Sequence, residues 1–122
     1  MYRWFTEVWN EGQEESVYAL MSPDAVVHGV GGTDGPPAVG HEAFLGFYHG
    51  FREQFDNIHF DLGDTVKEGD LEVVRCRVTA VHKASGKPVD FTGMTMARVA
   101  DGMFVEGWNN FDFNTMEKQL AG

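Results

Sequence analysis

A histidine closing an apolar run, an amide and a carboxylate three residues apart near the C-terminus, and two arginines alternating along a strand-like segment are the side chains here that could do chemistry. His28 follows Ala25-Val26-Val27 and precedes a glycine-rich stretch. An imidazole there can carry protons near neutral pH, or it can simply bond the backbone at a strand end. Asn109 has no site of useful basicity near pH 7, but its amide can orient a carbonyl or hydroxyl by donating and accepting. Asp112 is the rival carboxylate: a bulge could turn it inward, or it could cap the helix that follows. Arg75 and Arg77 share a face with Thr79. One of them could hold a carboxylate or polarise an oxygen; the alternative is pairing with acidic neighbours. His82 reads as a rim or surface residue, and His41, His49 and His59 as structural or exposed. His41 and His49 are eight apart, not the four that place two metal ligands on one helix face, and no Cys/His set has zinc spacing. No protein-bound metal is expected.

The elements that must position these groups follow from periodicity. Residues 2–20 read as an amphipathic helix or helical pair, with Trp4, Phe5, Val8 and Trp9 at helical spacing and an interruption at Gly12. Ser22-Pro23-Asp24 stops the helix, because proline disfavours helix in the residue before it. Residues 25–29 are a short strand. Residues 29–40 hold five glycines and two prolines and read as a loop, a mobile rim or lid. Residues 41–55 form the clearest helix, with Phe44, Phe47, Tyr48, Phe51 and Phe55 in one stripe. Strands are expected over 58–67, 71–83, 88–99 and 103–113, with turns at Glu68-Gly69-Asp70, Ser85-Gly86-Lys87 and Ala100-Asp101-Gly102. A short helix over 114–119 closes the chain. Helices followed by an antiparallel meander predict an α+β domain, residues 1–122, without repeats or linkers.

Composition narrows the partners. The net charge of −10 argues against nucleic acid, whose binding needs Lys and Arg to neutralise phosphate, and against anionic membranes. No apolar run approaches a membrane span. Cys76 is the only cysteine, which suits a small buried hydrophobe and a reduced, cytoplasmic setting. The glycines of 29–40 lack the Lys and Ser or Thr of a phosphate loop, so no nucleotide cofactor is expected. Ten Phe, three Trp and six Met can line a cavity or fill one.

Three motifs, in this order, carry a resemblance: Glu7-Val8-Trp9-Asn10-Glu11-Gly12 followed by Ser22-Pro23-Asp24-Ala25-Val26-Val27-His28-Gly29; Phe91-Thr92-Gly93-Met94-Thr95-Met96-Ala97-Arg98-Val99-Ala100-Asp101-Gly102; and Val105-Glu106-Gly107-Trp108-Asn109-Asn110-Phe111-Asp112. Together they resemble SnoaL-type polyketide cyclases, within the nuclear-transport-factor-two-like superfamily that also holds ketosteroid isomerase, limonene epoxide hydrolase and scytalone dehydratase. The resemblance implies a curved antiparallel sheet wrapped by the N-terminal helices into a cone-shaped barrel with an internal pocket, and homodimers packed through the outer sheet face. It implies a catalytic carboxylate directly after the strand Trp, where this chain has Asn109, and it places His28 near the pocket.

Two functions stay open on that footing. One is a cofactor-independent cyclase, isomerase or hydratase acting on a small apolar oxygenated molecule, polyketide- or terpenoid-like. His28 would move protons, Asn109, Thr95 and Arg77 would hold oxygens, and Asp112 is the other catalytic candidate. The alternative is a ligand-binding or accessory domain that has lost the chemistry with its carboxylate. A filled core with no cavity is the third possibility. In the first two, Trp9, Phe47, Phe51, Phe91, Thr95 and Phe111 line the pocket. That assignment takes Gly107, Asn109 and Phe111 as the inward face of the last strand, a parity the alternation alone leaves open.

Overall fold

The structure, a computed structural model, describes residues 1–30 and 35–122. The chain opens with a helix over Trp4–Asn10 wound with π-type geometry. It buries Trp4, Phe5, Val8 and Trp9 on one side. Gly12, at φ +69°, breaks it as the sequence predicts, and α1 (Glu15–Leu20) follows. β1 (Met21–His28) begins four residues before the expected strand. Pro23 is accommodated because the pairing of β1 with its neighbour shifts register between Met21 and Val26, and an irregularity of that kind tolerates a missing N–H.

A two-residue strand, β2 (Ala38–Val39), escaped the sequence reading. It is too short to show alternation. Then come α2 (Gly40–Gln54), β3 (Phe55–Glu68), β4 (Leu71–His82), β5 (Pro88–Ala100), β6 (Met103–Phe111) and α3 (Phe113–Ala121). The sheet runs β2-β1-β6-β5-β4-β3. β3 to β6 form the antiparallel meander, whereas β1 lies parallel to β6. The sheet curves without closing. Register shifts in β3 and at Arg98/Val99 supply the bends that wrap it round the helices.

Alternation divides the sheet into two faces. On β4, Val74, Cys76, Val78 and Ala80 are buried, and Arg75 and Arg77 are exposed. On β5, Val89, Phe91, Thr95 and Ala97 face the helices. The core lies between this inner face and the π-wound helix and α2. Trp9 is its hub, with five aromatic rings (Phe44, Phe47, Tyr48, Phe51 and Phe60) at centroid distances of 5.0 to 6.3 Å. The Tyr48 hydroxyl donates to the Val8 carbonyl at 2.8 Å, tying α2 to the first helix. Asn10 does the same toward β3: its amide donates to the Phe60 carbonyl at 3.0 Å and accepts from the Phe60 N–H at 2.7 Å.

Candidate functional site

The concave side of the sheet and the helices enclose a cavity of about 80 Å³, set within a wider recess of about 810 Å³ that includes its opening to solvent. Its floor is β5 and β6, through Phe91, Thr95, Ala97, Gly107, Asn109 and Phe111. The helices roof it with Trp4, Phe5 and Trp9 from the first and Phe44, Phe47 and Phe51 from α2. Gly29 and Val30 border it where β1 ends. The rim expected over 29–40 otherwise falls partly on residues 31–34, outside the described residues. Phe47, Phe51, Phe111 and Phe113 are half-buried at the cavity edge, whereas Trp9, Phe44, Phe60 and Phe91 are buried deep.

One polar couple sits on this apolar wall. Thr95, only 6% exposed, donates its hydroxyl to Asn109 Oδ1 at 2.9 Å. Asn109 Nδ2 donates to the His28 carbonyl at 3.0 Å. The two acceptor–donor contacts fix which way the amide faces, because a carbonyl oxygen can only accept. Cross-strand register brings the pair together, Thr95 standing opposite Asn109. Thus Trp9, Phe47, Phe51, Phe91, Thr95, Asn109 and Phe111, all expected on the pocket wall, do border the cavity. Gly93 does not leave room for a ligand. A Cβ there would run into the Phe111 ring, so the glycine lets that ring lie on the strand.

Three expected site residues lie elsewhere. The His28 ring is on the outer face. Parallel pairing sets His28 opposite Trp108, where the two rings stack at 5.6 Å, and His28 Nε2 donates to the Glu106 carboxylate at 2.9 Å. Only its backbone carbonyl reaches the cavity residues. Arg77 also faces outward, and its guanidinium is paired with Asp90, Nε to Oδ1 at 2.8 Å. That hydrogen bond raises the Arg77 pKa and holds the Asp90 carboxyl below its usual range. Asp112 caps α3, accepting from the Thr115 N–H at 3.0 Å and hydroxyl at 2.6 Å. These bonds lower its pKa, the side-chain bond most, so it remains a carboxylate engaged with the helix. Cys76 is buried, and burial pushes its thiol to about 11, which leaves it inert as a nucleophile.

The sequence reading missed Glu106, which borders the cavity while its carboxylate holds His28. Its place two residues before Trp108 was the available signal. Trp4, Phe5 and Phe60, which the sequence does not single out for the wall, border the cavity as well, as does Phe44 of the α2 stripe. Among the described residues no group of three or more His, Cys, Asp or Glu is placed to hold a metal. Among the described residues no helix is long and apolar enough to cross a membrane.

The sequence pattern of SnoaL-like polyketide cyclases matches residues 1–120. The chain belongs to that family. Among solved structures, this SnoaL-like chain is similar to IdmH of Streptomyces antibioticus, described as a candidate polyketide cyclase, with 33% identity over 95% of this chain and 92% of the other and a TM-score of 0.82. A candidate polyketide cyclase of Bacillus cereus is 27% identical over 98% of this chain and 76% of its own, with a TM-score of 0.83. A SnoaL-like protein of Jannaschia, at 23% identity, shares the fold with a TM-score of 0.87, over 99% of this chain and 88% of its own. None of the curated proteins matches.

Proposed function

We propose that this SnoaL-like chain is a cofactor-independent cyclase that folds a small, apolar, oxygenated molecule of polyketide type for ring closure by positioning it, rather than by a proton relay of its own. One observation carries this reading. Among the described residues, the aromatic cavity offers a single uncharged polar couple, Thr95 and Asn109, and its one acidic border residue, Glu106, has its carboxylate turned to His28. An apolar wall selects neutral ligands, since an unpaired charge there would lose its hydration. The amide then supplies the remaining N–H and lone pair to a substrate carbonyl or hydroxyl, and rings packed on both sides restrict the chain's conformations. Holding reacting ends together removes the entropic part of the barrier.

A cavity of about 80 Å³ is small beside the roughly 300–1,000 Å³ of ligand sites. Substrate entry therefore requires the half-buried rings of Phe47, Phe51, Phe111 and Phe113 to turn outward. A second reading, a non-catalytic ligand carrier, has its own support: both ends of the Asn109 amide are already bonded within the protein.

Binding of acetophenone and of its carbonyl-free isostere α-methylstyrene, followed by tryptophan fluorescence, tests the site. The ketone should bind about three- to ten-fold more tightly, the worth of one net hydrogen bond, and Asn109→Leu should abolish the difference. Equal binding of the two probes by the native protein would remove the polar couple from the reading. Native mass spectrometry of the gently purified protein separates the two functions. A retained ligand converted to a ring-closed product on incubation supports the cyclase; one released unaltered supports the carrier.

We also propose a second copy of this chain as the occupant of the outer sheet face. Val66, Val73, Met96, Trp108 and His28 stand in register across five strands as one row. Val66 is 62% exposed, and Met94, beside the row, is 49% exposed. Arg75–Asp64, Arg77–Asp90 and Arg98–Asp70 flank it with both signs of charge, a pattern that can complement itself across a two-fold axis. Sedimentation should show a dimer that Met96→Lys converts to monomer; a native monomer at tens of micromolar would reject the proposal.

A further inference from the structure

His28 is held from both sides of the sheet. On the outer face its ring is bonded to Glu106 at 2.9 Å and stacked on Trp108. On the inner face its carbonyl accepts the Asn109 amide at 3.0 Å. The next residue leaves no slack. Gly29 takes φ +76°, and a Cβ at that position would run into the Asn109 backbone carbonyl oxygen. The end of β1 is thereby wedged against β6 at the residue that carries the cavity's polar couple. A shift of the His28 peptide would break the bond that orients Asn109.

We infer that Glu106 and the His28 side chain, neither of which presents a polar group to the cavity, are positioning residues that set the direction of the Asn109 amide and with it the pocket's selectivity for a carbonyl. The chain of contacts is short: Glu106 carboxylate, His28 ring, His28 carbonyl, Asn109 Nδ2, Asn109 Oδ1, Thr95 hydroxyl. Glu106 and His28 come from neighbouring strands, so their bond braces the end of β1. With the brace removed, only the strand pairing and the Gly29 contact hold the His28 peptide, its carbonyl is a looser acceptor for Nδ2, and the amide is less firmly oriented. The apolar wall stays as it was, so a ligand without an oxygen should not register the change. A general loss of packing would weaken both kinds of ligand alike.

The inference rests on the proposal that Asn109 reads a ligand oxygen, and its test keeps the two apart. In the ligand-free protein, NMR of the Asn109 side-chain amide reports the bond to His28 directly. Glu106→Ala should shift and broaden these resonances, and Glu106→Gln, which keeps an acceptor for the ring, should largely restore them. In binding, Glu106→Ala should lower the preference for acetophenone over α-methylstyrene at least three-fold and leave α-methylstyrene affinity unchanged. His28→Gln serves as an independent variant and should fall between the two. Unmoved Asn109 amide signals in Glu106→Ala would overturn the inference whatever the native protein binds. Absence of ketone preference in the native protein, with the amide signals moved, would overturn the substrate reading and the selectivity claim and leave the positioning of the amide established.

Discussion

The two faces of one sheet are built to opposite rules. The inner face of β4 to β6 carries Val74, Cys76, Val78, Phe91 and Ala97, all at most 4% exposed, and admits polarity as the mutually bonded Thr95–Asn109 couple. The outer face carries the arginines, their aspartates, the His28–Glu106 pair and an apolar row in which Val66 is exposed, with exposed Met94 beside it. Among the described residues every buried side-chain N or O atom has a partner, because an unpaired one would cost about 1–3 kcal/mol. Outside, water can satisfy what the protein does not. The inner face therefore sets stability and selectivity, and the outer face is free to serve association and positioning.

Substitutions of like residues on the two faces sharpen that contrast. Trp9→Ala should have the largest effect, a loss of about 3–5 kcal/mol in urea unfolding, since it empties the hub of the aromatic cluster. Trp108→Ala on the outer face should cost less than half as much. A smaller effect is expected from Thr95→Val, which leaves Asn109 Oδ1 without its donor and should cost about 1–3 kcal/mol. Thr92→Val, three residues away on the exposed face of β5, should stay within about 0.5 kcal/mol. Equal costs for the two threonines would mean that the couple inside the cavity is hydrated in solution.

The smallest effect is the response to acid. The carboxyls of Asp90 and Asp112 have folded pKa values below their ordinary value, from bonds to Arg77 and Thr115 respectively. A depressed carboxyl contributes stability that is fully present above its unfolded value, about 3.9, and is lost as pH falls through the folded value. Melting temperature should thus hold steady from pH 7 to about 5 and decline below about 4. Asp112→Asn, which can still cap a helix, should flatten part of that decline. An unchanged profile in the double variant Asp90→Asn/Asp112→Asn would assign the acid sensitivity to other carboxylates.

Much of this architecture was legible. The β4 alternation of valines with arginines showed two faces, and turns at Asp70, Gly86 and Asp101-Gly102 marked the meander. The family motifs supplied the curvature that periodicity does not encode. The inward parity of β5 and β6, which the alternation left open, matches the arrangement of Thr95, Asn109 and Phe111 round the cavity. β1 was illegible in this respect. Val26 and Val27 are both apolar, so the strand gives no hint of which face His28 takes, and only its parallel register with β6 decides it. The volume of the cavity was beyond reach for a related reason: the same phenylalanines can line a space or fill it, depending on rotamers that the residue pattern does not encode.

Asn10 has a consequence beyond tying a helix to a strand. By engaging both the N–H and the carbonyl of Phe60, its amide stands in for one residue of a neighbouring strand along the outermost ribbon of the sheet. Such margins are where foreign chains add on and fibrils begin. One side chain, reaching fifty positions along the sequence, closes that margin at the point where its backbone would otherwise be open to recruitment.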